Sequence, residues 1–282
     1  MTGRAMVALE SGQSRRSFLT WLAASPLLAM SGVHAQTPLM ISRPGSGYRF
    51  LPGGPVFSGG AVALPGYAVT HALLDRGLPL EQGYALVERH LHAQGRPMQA
   101  LCGMQLRLPR QLSAREFTEF NAPYLARLKA WDLIYQGLNP VSRTNVAPAQ
   151  NPLREPSLHA FSYTVAADGA AATFTMSGMT EGGPAGIAAA GDVSPAGMQT
   201  KLDYVVTVVS KRLAELGFDW QDATHVECYA VEEIPGAMSA LAVRAGSASA
   251  RGVRWHYARP PVIGLELELE ARSVVREIVL GA

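Results

Sequence analysis

The 282-residue sequence is poor in cysteine and in charge: it has two Cys, and Asp, Glu, Lys and Arg make up only 16% of it, against about 25% in a typical soluble protein. Two cysteines in a chain this long exclude a disulfide scaffold and a zinc site built from cysteine alone. The 24 Lys and Arg nearly balance the 22 Asp and Glu and are not clustered, so the chain lacks the basic field that nucleic acid requires. A Gly-rich phosphate loop, a serine nucleophile elbow and a paired-Cys motif are also missing. His90 and His92 stand two residues apart, on different faces of a helix, whereas metal-binding helices favour a spacing of four. No metal and no other cofactor is therefore expected. What remains is 48% hydrophobic, with 28 Gly and 19 Pro spread along the chain, the composition of a compact globular protein with many turns.

The one long apolar run, Phe18 to Val33, is interrupted by Pro26 and falls short of the roughly 20 residues that span a bilayer. It follows Arg15-Arg16-Ser17-Phe18-Leu19 and precedes Val33-His34-Ala35. Paired arginines, apolar stretch and small-residue cleavage site occur in the order of a twin-arginine export signal. Residues 1–35, with Arg15, Arg16 and Ala35 as its marks, are expected to be removed, leaving a periplasmic or extracytoplasmic product with no membrane attachment. The leader holds Arg4, Arg15 and Arg16 against Glu10, so the remainder carries 21 basic and 21 acidic residues.

The rest reads as one pattern written twice. Val56-Phe57-Ser58-Gly59-Gly60 reads as a short strand ending in Ser-Gly, and Thr173-Phe174-Thr175-Met176-Ser177-Gly178 repeats it 119 residues later. A helix is predicted over Leu80–Gln94, with Tyr84, Val87 and Leu91 on one face and Gly95 as its stop; its counterpart runs from Ser194 to Leu216 and stops at Gly217. Strands are then expected over Ala100–Leu108 and Thr224–Val231, and second helices over Ala114–Trp131, where Ser113 and Glu116 form a capping box, and Pro235–Arg244. Each copy closes on strands: Thr144–Ala147 with Ser157–Val165, and Val253–Tyr257 with Gly264–Val275. The boundary is placed at Ala166-Ala167-Asp168-Gly169, giving units 36–167 and 168–282 of an α+β sheet with helices on one face.

The Ser-Gly strand, the Gly-stopped helix, Glu116-Phe117-x-x-Phe120-Asn121-x-x-Tyr124 and the loop Pro140-Val141-Ser142-Arg143-Thr144-Asn145-Val146 together resemble the Rid (YjgF-like) family. The second copy resembles it through Ser177-Gly178, Glu227-Cys228-Tyr229-Ala230-Val231 and Leu265-Glu266-Leu267-Glu268-Leu269-Glu270. The two matches cover most of residues 46–276. The resemblance implies two tandem chorismate-mutase-like domains, each a mostly antiparallel sheet with two helices on one face, a homo-oligomer built on trimers, and pockets between neighbouring domains. It also implies hydrolysis of enamines or imines. The two-copy form with Trp255-His256-Tyr257-Ala258-Arg259-Pro260-Pro261 looks closest to the branch that deaminates 2-aminomuconate-type acids. A lyase acting on a chorismate-like diacid and a non-catalytic ligand-binding protein are the alternatives.

Arg143 matches the family arginine that holds the substrate carboxylate, and a guanidinium fork suits that task. A small-molecule carboxylate is thus the expected ligand. The family glutamate that positions water matches the run Glu266, Glu268, Glu270, with Glu268 the expected one. In a strand these three share one face, opposite the leucines, and for at least two of them a solvated face is expected. Ser58 and Ser177 match a pocket serine, and Tyr48 a pocket tyrosine. The first copy keeps the arginine but its last strand, Ser157-Leu158-His159-Ala160-Phe161-Ser162, has no carboxylate; the second keeps the carboxylates and loses the arginine loop. The copies are therefore expected to be complementary halves of one site. Cys102 and Cys228, 126 residues apart and out of the repeat register, are expected to be buried free thiols, and His256 a packed residue.

Overall fold

In the computed structural model the described residues are 39–151, 153–246 and 252–282; the expected leader, with Arg15, Arg16 and Ala35, lies outside them. The first copy contains β1 (Ile41–Ser42), β2 (Tyr48–Leu51), β3 (Gly60–Ala63), β4 (Tyr67–Pro79), α1 (Leu80–Ala93), β5 (Leu101–Arg107), α2 (Ala114–Ala130), β6 (Ser142–Pro148) and β7 (Ser157–Ala166). The second contains β8 (Phe174–Met176), β9 (Met179–Thr180), β10 (Gly182–Gly183), β11 (Gly186–Ile187), α3 (Pro195–Leu216), β12 (His225–Ala230), α4 (Ala237–Ala245), β13 (Val253–His256), β14 (Ala258–Arg259), β15 (Leu267–Ser273) and β16 (Arg276–Leu280).

Local chemistry sets the helix ends. The Ser113 side chain accepts from the Glu116 N–H, and the Glu116 carboxylate accepts from the Ser113 N–H, closing the predicted capping box. Ser194 caps α3 through the Gly197 N–H, with Pro195 at the first turn, where its missing N–H costs nothing. Gly217 ends the same helix at φ +89°, a left-handed conformation open to glycine.

Two main sheets result. The first has the order β1-β2-β3-β8-β15-β12-β13, with β9 also paired to β15; the second has the order β14-β6-β5-β7-β4-β16. Both are mixed: β12 with β13, β5 with β6 and β16 with β4 run parallel, and the other pairs are antiparallel. Helix α3 lays Leu202, Val205, Val209 and Leu213 on Cys228, Leu267 and Leu269 of the first sheet. Helices α1 and α2 lay Val87, Leu91, Tyr124 and Leu128 on Leu101, Leu106 and Phe161 of the second. The other faces of the sheets meet each other, with Tyr48, Phe50, Val69 and Cys102 in the contact. The architecture is α+β, helices outside and two sheets within, as expected. Cys102 and Cys228 are both buried and free.

The pairing crosses between the copies. β1, β2 and β3 of the first copy complete the sheet of the second, while β16 pairs with β4 and β14 with β6 in the sheet of the first. Two local expectations change. Val56–Gly60 is not a strand: Pro52 and Pro55 flank Gly53-Gly54, and strand pairing starts only at Gly60, because prolines withhold ladder donors. Ser58 therefore precedes a strand, whereas Ser177 follows one. The thirteen-residue β4 has no counterpart in the predicted elements. Its first half, Ala68 to Ala72, is buried throughout, and a strand covered on both faces loses the alternation that reveals a strand.

The exchange predicts that the copies do not fold alone. Expressed separately, residues 39–167 and 168–282 should each lack a cooperative thermal transition by circular dichroism, whereas the whole chain melts in one. A cooperative transition in either half would refute this dependence.

Candidate active site

The site grows from the start of β6. The Asn139 side chain fixes the approach, donating to the Val56 carbonyl at 2.7 Å and accepting from the Val141 N–H at 2.9 Å. The Ser58 N–H donates to the Val141 carbonyl. Ser177 Oγ donates to the Ser58 carbonyl at 2.7 Å and accepts from the Arg143 N–H at 2.9 Å, and the Gly178 N–H donates to the Arg143 carbonyl at 3.2 Å. The structure thus brings Ser58, Ser177 and Arg143 together. Ser177 is a bracket between the two copies, its hydroxyl spent on backbone; Ser58 Oγ is buried with no partner.

Arg143 is 5% exposed. Its guanidinium lies 4.7 Å from the Tyr124 ring, 5.7 Å from Phe117 and 5.8 Å from Phe57. No carboxylate approaches it to salt-bridge distance among the described residues, and Nη1 has no hydrogen-bond partner. Burial lowers its pKa, while Tyr124, Tyr84 and Glu268 act in the opposite direction. A buried guanidinium paired only with ring faces is costly to maintain. Bringing it an anion removes most of that cost, and its fork fits a carboxylate.

Glu268 comes from β15 of the other copy. Leu267, Leu269 and Ala271 face the helices, so Glu268, Glu270 and Arg272 face the second sheet. The expectation of a solvated carboxylate face is overturned here: Glu268 and Glu270 are each 3% exposed, because the second sheet covers the strand. Glu266, before the strand begins, stays partly exposed and accepts from Arg259 at 2.9 Å. Glu270 is engaged, by Gln105 at 2.9 Å and Arg272 at 3.1 Å. Glu268 Oε2 has no partner. Its carboxylate lies against Gly178, where a Cβ would collide with it. Burial pushes the Glu268 pKa well above the carboxylate range, and Glu270 and Glu181 push the same way; Arg107 and Arg143 oppose them. Burial therefore favours the carboxylic acid, a proton donor, over the fixed charge.

Tyr48 stands apart from these groups: it is buried in the contact between the sheets and its hydroxyl donates to the Leu101 carbonyl at 2.8 Å. His256 packs, stacked on Tyr229 at 4.7 Å. Other residues were not assigned roles from sequence. Asn121, on the α2 face that carries Phe117 and Tyr124, has an unpartnered Oδ1; Asn145, on the β6 face that carries Arg143, has both amide atoms unpartnered; the Tyr84 hydroxyl is unpartnered too. Asn121 and Asn145 stand in the matched motifs, where a role was legible in principle. Tyr84 sits at a core position of α1, and nothing in its spacing separates it from packing residues. A cluster of buried polar atoms without partners in the protein marks a polar site. Among the described residues no group of three His, Cys, Asp or Glu could hold a metal ion.

The sequence profile of the 2-aminomuconate deaminase CnbZ matches residues 40–278. The chain belongs to this family. It is 38% identical over 242 residues to the 2-amino-5-chloromuconate deaminase of Comamonas testosteroni, covering 83% of this chain and 96% of that protein. It is similar in structure to a chorismatase, with a TM-score of 0.40 and 11% identity over 86% of this chain and 81% of that one. It is also similar to the Rid-family protein YyfB of Yersinia pestis, with a TM-score of 0.29 and 14% identity over 40% of this chain and 84% of that one. Membership makes the chain a deaminase, a hydrolase of C–N bonds, and agrees with the two-copy branch named from sequence.

Glu268 yields a stability prediction whose sign follows from linkage. Where the native state keeps a proton that the unfolded chain has lost, stability falls as pH rises, by up to about 1.4 kcal/mol per pH unit. That window runs from the unfolded carboxylate pKa, roughly 4.3, up to the raised native one. Glu268→Gln keeps the neutral shape and removes the slope. The variant should therefore melt higher than the parent at pH 7 to 8 and match it near pH 4. Equal melting temperatures at both pH values would show that Glu268 is not held neutral. Gly178→Ala should displace the carboxylate and cost at least tenfold in turnover, read by ammonia release; unchanged turnover would dissociate Gly178 from the site.

Proposed function

We propose that the site converts a 2-aminomuconate-type acid, or a related small carboxylated imine, to the 2-oxo acid and ammonia. The observation that carries this reading is the juxtaposition of Arg143, a buried guanidinium without a carboxylate partner, with Glu268, a buried carboxyl without a hydrogen-bond partner. Arg143 holds the carboxylate beside the amine-bearing carbon, and Asn145 and Asn121 supply donors and acceptors that now lack partners. The Glu268 acid protonates the enamine at carbon, giving an iminium and a carboxylate. That carboxylate takes a proton from water as its oxygen bonds to the iminium carbon. The regained proton passes to nitrogen, the C–N bond breaks, and the hydroxyl proton returns to Glu268 as the carbonyl forms. One water is consumed and one ammonia released, with Glu268 restored, so no electron carrier is required. The raised pKa suits the first step, because the acid must be protonated at working pH.

We also propose that the chain is exported with residues 1–35 removed and assembles as a trimer-based homo-oligomer. Support for export is the order of Arg15-Arg16, the apolar run and Ala35. Support for assembly is the family resemblance together with apolar side chains left at the surface, Val243 at 82%, Val279 at 65% and Ile263 at 60% exposure.

The test is ammonia release from 2-aminomuconate and from enzymatically generated 2-imino acids. Arg143→Ala should raise KM and lower kcat/KM by about 100-fold, the scale of a lost charge-assisted pair. Glu268→Gln should lower kcat by roughly 10²–10⁴. The parent's rate should decline as pH rises through the Glu268 pKa. A folded protein that accelerates none of these reactions over buffer sinks the reading, and parental turnover in either variant removes that residue from it.

A further inference from the structure

Four arginines among the described residues are buried to 7% exposure or less: Arg107, Arg143, Arg212 and Arg272. Two of them have carboxylates. Arg212 pairs with Glu215 at 3.0 Å, and Arg272 pairs with Glu227 at 2.6 Å and Glu270 at 3.1 Å. Arg143 and Arg107 have none at salt-bridge distance. On Arg107, Nη1 donates only to the carbonyl of its neighbour Leu106 at 3.2 Å, Nη2 is buried with no partner, and the guanidinium lies 5.5 Å from the Tyr229 ring. Leaving one guanidinium buried without an anion is unusual; leaving two beside the same carboxyl calls for a common cause.

Both cations act on Glu268. Arg107 and Arg143 are the positive groups that oppose the rise of its pKa. They leave neighbouring strands from opposite faces of the second sheet: Arg107 on β5 points to Tyr229 of the first sheet, and Arg143 on β6 points to Tyr124 of α2. The edge of β6 away from β5 is only partly paired, although its residues are buried. Ser177 and Gly178 hold Arg143 at one end, β14 pairs with Ala147 and Pro148 at the other, and among the described residues no strand pairs with Thr144–Val146 on that side. Asn145, with both amide atoms unpartnered, belongs to this stretch and lies on the Arg143 face. A ligand that reaches both guanidiniums must pass this unpaired stretch, one end on each side.

We propose that Arg107 receives the second carboxylate of a dicarboxylic substrate whose first carboxylate is held by Arg143. The inference rests on the reading of the Arg143–Glu268 site as the deaminating centre, and it assigns Arg107 the choice of diacids over monoacids. The dianion neutralises both buried guanidiniums at once, and the burial that disfavours charge on Glu268 limits repulsion from it. Arg272 is already engaged by carboxylates and has no charge left to offer.

Binding alone tests the proposal. The full chain is titrated calorimetrically with muconate, an unsaturated six-carbon diacid, and with sorbate, the monoacid of the same length. The parent should bind muconate more tightly. Arg107→Met should weaken muconate by about 10–100-fold, the range of a charge-assisted pair, and leave sorbate within twofold. Arg107→Gln serves as the second neutral variant should the first not fold, and Arg107→Lys should keep most of the preference. Turnover is read in parallel: kcat/KM should fall at least tenfold further for 2-aminomuconate than for a monocarboxylic 2-imino acid. An Arg107 that merely tunes Glu268 would change both substrates together and shift the pH profile of both. Equal loss for diacid and monoacid, or no parental preference for muconate, overturns the proposal. Failure of the deaminase reading shows itself differently, as absence of ammonia release by the parent with the binding preference intact.

Discussion

The structure depends on one burial: the polar face of β15 against the second sheet. Glu268, Glu270 and Arg272 alternate with Leu267, Leu269 and Ala271, and a strand of that pattern at the surface would keep the charged side in water. Here Arg272 joins Glu227 and Glu270, Gln105 reaches across from β5 to the same two carboxylates, and the Tyr229 hydroxyl donates to Glu227 at 2.5 Å. Burial works against the charge on Glu227, yet Arg272 and His256 hold its pKa well below the ordinary value. The network satisfies Glu227 and Glu270 and excludes Glu268, two residues along. A buried polar network is stable only when its members have partners, so the one carboxyl left out is the place where the fold departs from that rule.

Exchange of strands between the copies makes this departure possible. One copy supplies the arginine and the other the carboxyl, and neither could present both, because β7 has no acidic residue and the second copy has no arginine loop. The Ser58–Ser177–Arg143 contacts join the copies through backbone atoms, so the spacing of the two functional groups is set by main chain and not by flexible side chains. That is the arrangement preorganisation requires, with reactive groups carried on strands and held by surrounding bonds. Strand exchange also explains why β3 and β16 end in foreign sheets: with both termini of the pattern committed across the interface, the copies cannot shift past each other without breaking ladders in both.

Much of this was legible in the sequence. Helix ends followed from local chemistry, as at Ser113 with Glu116 and at Gly217, and the repeat located Arg143 and the glutamate run in different copies, although Arg143, expected on a loop, lies within β6. What could not be read was which face each strand turned to water. Alternation in β15 specifies two faces but not their solvents, since a second sheet and bulk water impose the same period. The same ambiguity hid β4, where both sides are covered and the period vanishes. Tyr84 illustrates a further limit, because an orphaned hydroxyl at a core position has the same spacing as a satisfied one. Ser58 and Ser177, which are hydrogen-bonded to each other, lie 119 residues apart in sequence, a relation visible as repetition but not as contact.

The chemistry of the site follows from keeping Arg143 and Glu268 apart. Had the two formed an ion pair, the guanidinium would be neutralised and the carboxyl held ionised, and a substrate carboxylate would have to displace a partner already in place. Gly178 prevents this arrangement from being crowded further: its missing side chain leaves the space that the Glu268 carboxylate occupies, while its N–H holds the Arg143 backbone. The carboxyl is thus near enough for the guanidinium to influence it and not so near as to bond. The guanidinium remains an unpaired cation, at a cost the surrounding ladders bear, and burial biases the carboxyl toward the protonated form useful to the reaction. An incoming carboxylate relieves the first and, by adding negative charge beside Glu268, holds the second protonated, so substrate binding itself prepares the acid for proton transfer.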